Sequence, residues 1–173
     1  MSKLDKFYEE QGFNEPMTQE RYKRDVTNAN KARAKQIFFI YKALKRHFPD
    51  IDIEGAITEG CYEYGKAGKG CIAGAQDAAD ALLGQSSFAG VTAFEQTFNE
   101  VGENFAQKTL EACPIVDGLR EAGANPQECA DFCKVIMGAA DYGLMDGKEE
   151  EFVLSFPKNL AENDVCIMRV EKK

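Results

Sequence analysis

A long helical pattern near the start of the chain most constrains the fold. Apolar residues recur at the spacing of one helix face from about Gln19 to His47. Thr18 is a suitable N-cap for this helix, and Pro49 ends the pattern. Lysine and arginine residues lie on the other faces and near the end, where they complement the helix dipole. The sequence therefore predicts one long amphipathic helix.

A second helical segment is predicted from Ile53 to Leu83, and it is rich in glycine and alanine. Each glycine costs a helix about 1 kcal/mol relative to alanine, so tight packing against another helix is the simplest explanation. A break into two helices near Gly68–Gly70 is an alternative. The stretch from Gly84 to Gly90 is predicted to be a linker.

The pattern after the linker indicates strands and short helices. Residues 94–101 and 105–112 are predicted to pair across a turn, although the second of them also allows a helix. Pro114 and Pro126 are predicted to begin two helices, because proline is favoured at the first helical position. The first helix is expected to end at Gly123 and the second at about Leu144.

The clearest strands lie near the end of the chain, at residues 152–156 and 165–170, and are expected to form an antiparallel hairpin. The predicted class is α+β, with long N-terminal helices packed on a small antiparallel sheet and with C-terminal helices and a hairpin. Residues 1–16 are expected to form an N-terminal arm. Residues 17–173 are expected to form a single α+β domain, with a helical half at 17–84 and a cysteine-containing half at 91–173.

Composition excludes several classes of function. The net charge of −8 argues against nucleic acid and against anionic membrane surfaces as partners. His47 is the single histidine, so sites that need several histidines are excluded. The first residues carry no apolar signal segment, and no apolar run could span a bilayer. A cytoplasmic location is expected, with the six cysteines as reduced thiols.

Four cysteines carry the chemistry that the sequence suggests. Cys113 precedes the helix that begins at Pro114, Cys129 and Cys133 are four residues apart on the next predicted helix, and Cys166 lies on the last strand. If these elements converge, the thiols form either a nucleophilic site or a metal site with two to four thiolate ligands. A helix N-terminus beside Cys113 is expected to stabilise its thiolate. The spacing is not that of a zinc ribbon or a ferredoxin.

The same region carries a resemblance to a known family. The motifs that carry the resemblance are Cys-Pro-Ile at residues 113–115, Gly123, Cys-x-x-Phe-Cys at residues 129–133 and Leu-Ala-Glu-Asn-Asp-Val-Cys at residues 160–166. These motifs resemble those of the L-2-amino-thiazoline-4-carboxylic acid hydrolase family. The resemblance implies an α+β fold with an antiparallel sheet and a small-molecule pocket. The activity that it implies is hydrolytic opening of a cyclic amidine-thioether.

The first hypothesis is therefore a hydrolase that acts on a small cyclic amidine or thiazoline carboxylate as its small-molecule substrate. Cys113 or Cys166 would be the nucleophile, assisted by Asp164, while Cys129 and Cys133 would shape the pocket.

Two other hypotheses remain open. In one, Cys113, Cys129, Cys133 and Cys166 of a non-enzymatic binding module hold a metal ion or an iron–sulfur cluster. In the other, the chain is a thiol-redox or interaction domain without turnover. The long amphipathic helix and the sheet edges are compatible with a homodimer.

Overall fold

The computed structural model describes residues 2–12 and 15–173. The expected α+β class is confirmed, with helices in the N-terminal half and an antiparallel sheet that ends in a C-terminal hairpin. The predicted arm at residues 1–16 includes positions 1, 13 and 14, which lie outside the described residues. The rest of the arm contains one short helix.

The elements are given in chain order. The helices are α1 (Lys3–Glu10), α2 (Gln19–His47), α3 (Ile53–Ala67), α4 (Ala78–Gly84), α5 (Phe88–Ala93), α6 (Pro114–Glu121), α7 (Pro126–Asp131) and α8 (Ala139–Leu144). The strands are β1 (Gln96–Val101), β2 (Phe105–Leu110), β3 (Phe152–Lys158) and β4 (Cys166–Lys172). A 3₁₀ turn spans Lys69–Ile72, and a π turn spans Phe132–Ile136. Within the described residues, no helix combines the length and the apolar character needed to cross a membrane.

Helix α2 has the predicted bounds, and its N-cap is confirmed. The Thr18 hydroxyl accepts a hydrogen bond from the backbone N–H of Arg21 at 3.1 Å. The helix buries Phe38 and Tyr41 and packs closely on α6. A Cβ at Gly118 of α6 would lie 2.6 Å from the carbonyl oxygen of Lys31, so this contact requires glycine. Helix α2 thereby holds α6, and the cysteine before it, in place.

Close helix packing also accounts for the glycine-rich segment. A Cβ at Gly65 would overlap the carbonyl of Ala140, and a Cβ at Gly143 would overlap the carbonyl of Tyr62. Helices α3 and α8 therefore contact each other backbone to backbone. The alternative break near Gly68–Gly70 is confirmed, because α3 ends at Ala67. The 3₁₀ turn and α4 follow this break.

The sheet has the strand order β1-β2-β4-β3, and all neighbouring strands are antiparallel. Leu110 pairs with Cys166, and Lys108 pairs with Met168. Because side chains alternate between the faces of a strand, Lys108 and Cys166 lie on the same face of the sheet. Helix α4 covers this face, where its buried Leu82 joins a core cluster with Met168.

Two predictions about the connections are wrong. The linker is shorter than Gly84–Gly90, because α5 begins at Phe88 with Ser87 as its N-cap. The helix predicted from Pro126 to Leu144 is interrupted by the π turn. There, the N–H of Met137 donates to the carbonyl of Phe132, one residue beyond the normal α-helical partner.

Candidate functional site

Three of the four predicted cysteines, which lie on three different elements, are within electrostatic range of one another. Cys113 is the N-cap residue of α6, Cys133 lies in the π turn, and Cys166 begins β4. Burial raises the pKa of Cys166 to about 12, and the neighbouring thiols of Cys133 and Cys113 add to the increase. The three side chains are therefore close enough to interact electrostatically. We call Cys113, Cys133 and Cys166 the three-thiol cluster.

The thiols of this cluster are protonated at neutral pH. Burial raises the pKa of Cys113 to about 12. The backbone N–H groups of Val116 and Ile115 lower this pKa, but their effect is smaller than that of burial. The helix N-terminus thus favours the thiolate, in the expected direction, but its effect on the pKa of Cys113 is smaller than that of burial. Burial disfavours the charged form more strongly than the N–H groups favour it. A reaction at these thiols requires a base.

Cys129 is not among the thiols that interact electrostatically with Cys166. Its Sγ is 4.0 Å from the carbonyl oxygen of Ala124, and burial raises its pKa, with Arg120 and Glu128 as its charged neighbours. It is 2% exposed and packs in an apolar core with Phe132. Over residues 2–12 and 15–173, no three His, Cys, Asp or Glu side chains are grouped so that they could hold a metal ion. The four-thiolate metal hypothesis therefore has no geometric support in this part of the chain.

A carboxyl group does lie near the cluster, but it belongs to Asp141 rather than to Asp164. Asp164 is exposed on the connection between β3 and β4. Asp141 is on α8, where burial raises the pKa of its carboxyl to about 6 while Lys108 and Arg33 oppose the increase. Asp141 also contributes to the raised pKa of Cys166. The sequence offered one signal for Asp141, its position among small residues that pack against another helix.

Lys108 supplies a positive charge to the same region. It is 2% exposed, and its Nζ donates a hydrogen bond to the Ser86 hydroxyl at 2.8 Å. Burial lowers the pKa of Lys108 to about 8, against the attraction of Asp141 and Cys166. The sequence signal for this residue is its position on β2 between Ala106 and Leu110, which makes it an inward-facing lysine in an apolar row.

The connection at residues 159–165, which we call the strap, covers the cluster. Burial raises the pKa of Cys133, and the backbone N–H of Ala161 partly offsets the increase by hydrogen bonding to its sulfur. The buried Asn159 shapes the strap, because its Oδ1 accepts from the N–H groups of Ala161 and Glu162 at 3.0 and 3.1 Å. The strap is therefore a folded cover rather than an extended loop.

Two contacts hold the strap to the helices below it. Lys134 Nζ donates to the Glu162 carboxylate at 2.7 Å. Arg120 Nη2 donates to the carbonyl oxygen of Leu160 at 3.1 Å. Both contacts are exposed, so each contributes only modestly to stability.

Two open grooves on the surface lie away from the cluster. One, of about 790 Å³, is lined by residues of the α2–α3 connection and α3, with Val135 and Ala139 opposite them. The other, of about 830 Å³, lies between the N-terminal arm and the start of α2. Neither groove is lined by the three-thiol cluster, Lys108 or Asp141.

Comparison with known proteins provides no relative from which a function could be transferred. No family model matches the chain, and no curated protein or solved structure is significantly similar to it. The chemistry of the site is therefore argued from the residues that form it.

Proposed function

We propose that this protein hydrolyses a small cyclic amidine of the thiazoline carboxylate type at the three-thiol cluster. The observation that supports the proposal is that the thiols of Cys113 and Cys133 and the carboxyl group of Asp141 all lie within electrostatic range of Cys166. The resemblance of residues 113–166 to the motifs of thiazoline carboxylate hydrolases supports the same substrate class.

Asp141 takes the role that the sequence assigned to Asp164. A general base works best when its pKa is close to the working pH, and the pKa of Asp141 is raised to about 6. Its carboxylate is available at neutral pH to accept a proton from a thiol. The nucleophile is Cys113 or Cys166, and Cys133 lines the site.

The reaction consumes one water molecule. The thiol passes its proton to Asp141 as its sulfur bonds to the amidine carbon of the protonated ring. The ring carbon–sulfur bond then breaks, and the leaving sulfur takes that proton. Water attacks the same carbon and gives one proton to Asp141, the bond to the enzyme sulfur breaks as that sulfur takes this proton back as a thiol, and the second proton is released to solvent. The product is a ureido acid with a free thiol.

The test is an assay with 2-amino-2-thiazoline-4-carboxylate, followed by mass spectrometry of the ring-opened product. We expect Asp141→Asn and either Cys113→Ser or Cys166→Ser to lower kcat by about 100-fold or more. Cys129→Ser is the matched control, because it removes a buried thiol outside the cluster and should leave kcat within a few-fold of the wild type. The proposal fails if the wild type has no turnover, or if Cys113→Ser and Cys166→Ser both retain it.

A second candidate is a small-molecule binding module without turnover. The observation that favours it is the protonated state of the thiols, since burial holds the pKa of both Cys113 and Cys166 at about 12. Binding of the same compound without any ring-opened product would support this candidate. Elemental analysis and a visible spectrum of anaerobically purified protein test the metal or iron–sulfur version of the module.

A further inference from the structure

We propose that two copies of this protein pair antiparallel through the exposed face of α2. This face lies on the side of the helix opposite to its buried residues, Ala34, Phe38 and Tyr41. The partner is a second copy of the chain. The inference goes beyond the proposed function and does not depend on it, because the face carries no residue of the three-thiol cluster.

Two large apolar side chains lie near the middle of this exposed face. Phe39 is 56% exposed and Ile40 is 48% exposed, whereas the outer side of a surface helix normally carries charged and polar residues. Exposed apolar surface of this kind is typical of a contact between proteins. Alanines at helical spacing extend the apolar surface in both directions. We call the α2 face the set of Ala29, Ala32, Phe39, Ile40 and Ala43.

The α2 face is arranged symmetrically around Gln36, which is also exposed. Ala29 and Ala43 are each seven residues from Gln36. Ala32 and Ile40 are each four residues from it. In an antiparallel pair centred on Gln36, Ala32 is therefore level with the partner's Ile40, so a small side chain lies beside a large one, as interdigitating helices require. The two Gln36 amides meet at the centre, where a polar pair fixes the register.

Charge complementarity selects the antiparallel orientation. Asp25 lies at one end of this side of the helix, and Arg46 and His47 lie at the other end. In an antiparallel pair the half-exposed carboxylate of Asp25 is level with the partner's His47 and next to the partner's Arg46. The opposite ends of the two helix dipoles also lie side by side. A parallel pair would bring like charges together at both ends, which disfavours it.

The size of the contact predicts its strength. From Asp25 to His47 the face is about 33 Å long, at about 1.5 Å per residue. A contact between two single helices of this length is at the lower end of the size of specific protein interfaces, so we expect a dissociation constant of roughly micromolar size. The dimer should therefore form and dissociate with the protein concentration.

Analytical ultracentrifugation at protein concentrations from about 1 to 100 µM tests for the dimer. We expect the wild type to pass from monomer to dimer over this range. Phe39→Glu should remain monomeric with an unchanged circular dichroism spectrum, because the side chain is exposed in the monomer. Val153→Glu is the matched control, since Val153 is 43% exposed on the edge strand β3 and should dimerise as the wild type does.

Disulfide crosslinking tests the orientation, in a Cys71→Ser background that removes the exposed native thiol. Gln36→Cys should give a crosslinked dimer on mild oxidation, because the two substituted positions face each other at the centre of the pair. Ala29→Cys and Ala43→Cys should each stay uncrosslinked alone, since like positions are about 21 Å apart along the helix. A mixture of these two variants should crosslink.

A wild type that is still monomeric at about 100 µM would overturn the inference. Dimerisation that persists in Phe39→Glu would overturn it as well, and loss of the dimer in Val153→Glu alone would assign the interface to the sheet edge instead. Crosslinking of Ala29→Cys by itself, without crosslinking in the mixture, would show a parallel pair and refute the proposed orientation.

Discussion

Lys108 is a buried charged side chain on the inner face of the sheet, and Asp141 is a partly buried one on α8. Removing a charge from water has a cost that a distant partner repays only in part. Neither group makes a direct ion pair within the described residues, and the one hydrogen bond of Lys108 goes to Ser86. Charges that weaken a fold in this way are typical of functional sites, where stability is lost for the sake of activity.

The double variant Lys108→Met/Asp141→Asn is expected to be more stable than the wild type, by about 1–4 kcal/mol, because it removes a buried and a partly buried charge together. Urea unfolding followed by circular dichroism measures the difference. Lys158→Met/Asp50→Asn, a pair of exposed sites, is the control and should change stability by less than about 0.5 kcal/mol. A less stable double variant would mean that the two charges serve the fold rather than a ligand.

The pH dependence of kcat/KM should be bell-shaped. Asp141 must be deprotonated to act as a base, so activity rises as the pH passes its pKa of about 6. Lys108 favours the thiolate form of Cys166 only while Lys108 is protonated, so activity falls as the pH passes its pKa of about 8. Steady-state assays between pH 5 and 9 check both limbs. Lys108→Met should remove the alkaline limb and leave the acidic one, and a wild type without an alkaline limb would contradict this role.

The sequence predicted part of the site. Cys113, Cys133 and Cys166 were found because thiols are chemically conspicuous and their motifs resemble a family. Asp141 and Lys108 were missed, because whether a charged side chain points inward depends on tertiary packing rather than on its neighbours in the chain. The strand that carries Lys108 also allowed a helix, and a helix would not have fixed the direction of its side chain.

Among the elements, the π turn at Phe132–Ile136 carries Cys133 of the three-thiol cluster. It adds one residue to a helical turn, so side chains before and after it face different neighbours. Cys129 packs in one apolar core with Phe132 and Ile136 of the turn, while Cys133 lies within electrostatic range of Cys166. No local residue pattern specifies such a turn, which is why the sequence predicted a continuous helix here.

The strap is the element that limits access to the thiols. Asn159→Ala removes the acceptor for two backbone N–H groups, each of which contributes about 1 kcal/mol to the folded strap. The strap should therefore open more often, and Cys133 should react at least about 10-fold faster with iodoacetamide. Mass spectrometry of the labelled peptides gives the rate.

Glu162→Gln provides a graded comparison for this experiment. It removes one exposed ion pair with Lys134, so the labelling rate of Cys133 should rise only by a few-fold. The exposed Cys71 serves as an internal standard, and its rate should not change. Equal labelling of Cys133 in the wild type and in Asn159→Ala would show that the strap does not control access.

The close packing of α3 against α8 can be tested by substituting its glycines. Gly65→Ala should destabilise the protein by about 1–3 kcal/mol, because the added methyl group would overlap the backbone of Ala140. Gly60→Ala lies on the same helix in open space and should stabilise it by about 0.5–1 kcal/mol. Thermal or urea unfolding measures the stability of the two variants. Equal changes in stability would contradict the close packing of α3 and α8.

In the whole molecule, the site lies where two apolar cores meet. One core joins α4 to the inner face of the sheet, and Lys108 lies on that face. The other core joins α2 to α6 and the α7 region, and Cys113 packs against it. The position of the thiols therefore depends on both halves of the chain.

The order of the elements was predictable from the sequence because the long periodic segments and the two hairpins are local patterns. The arrangement β1-β2-β4-β3 was not, since the pairing of β2 with β4 joins residues that are far apart in the chain. The homodimer expected from the sequence stays a prediction, which light scattering would check.

Exposure differs sharply among the six cysteines, all of which lie within the described residues: Cys71 alone is exposed. In air, peroxide or a second copy of the chain would reach Cys71 first, so crosslinked species on a non-reducing gel would report on this surface thiol. A preparation aged on the bench could thus look oxidised while its interior sulfur chemistry remained intact, and Cys71→Ser would be the suitable background for every thiol measurement on this protein.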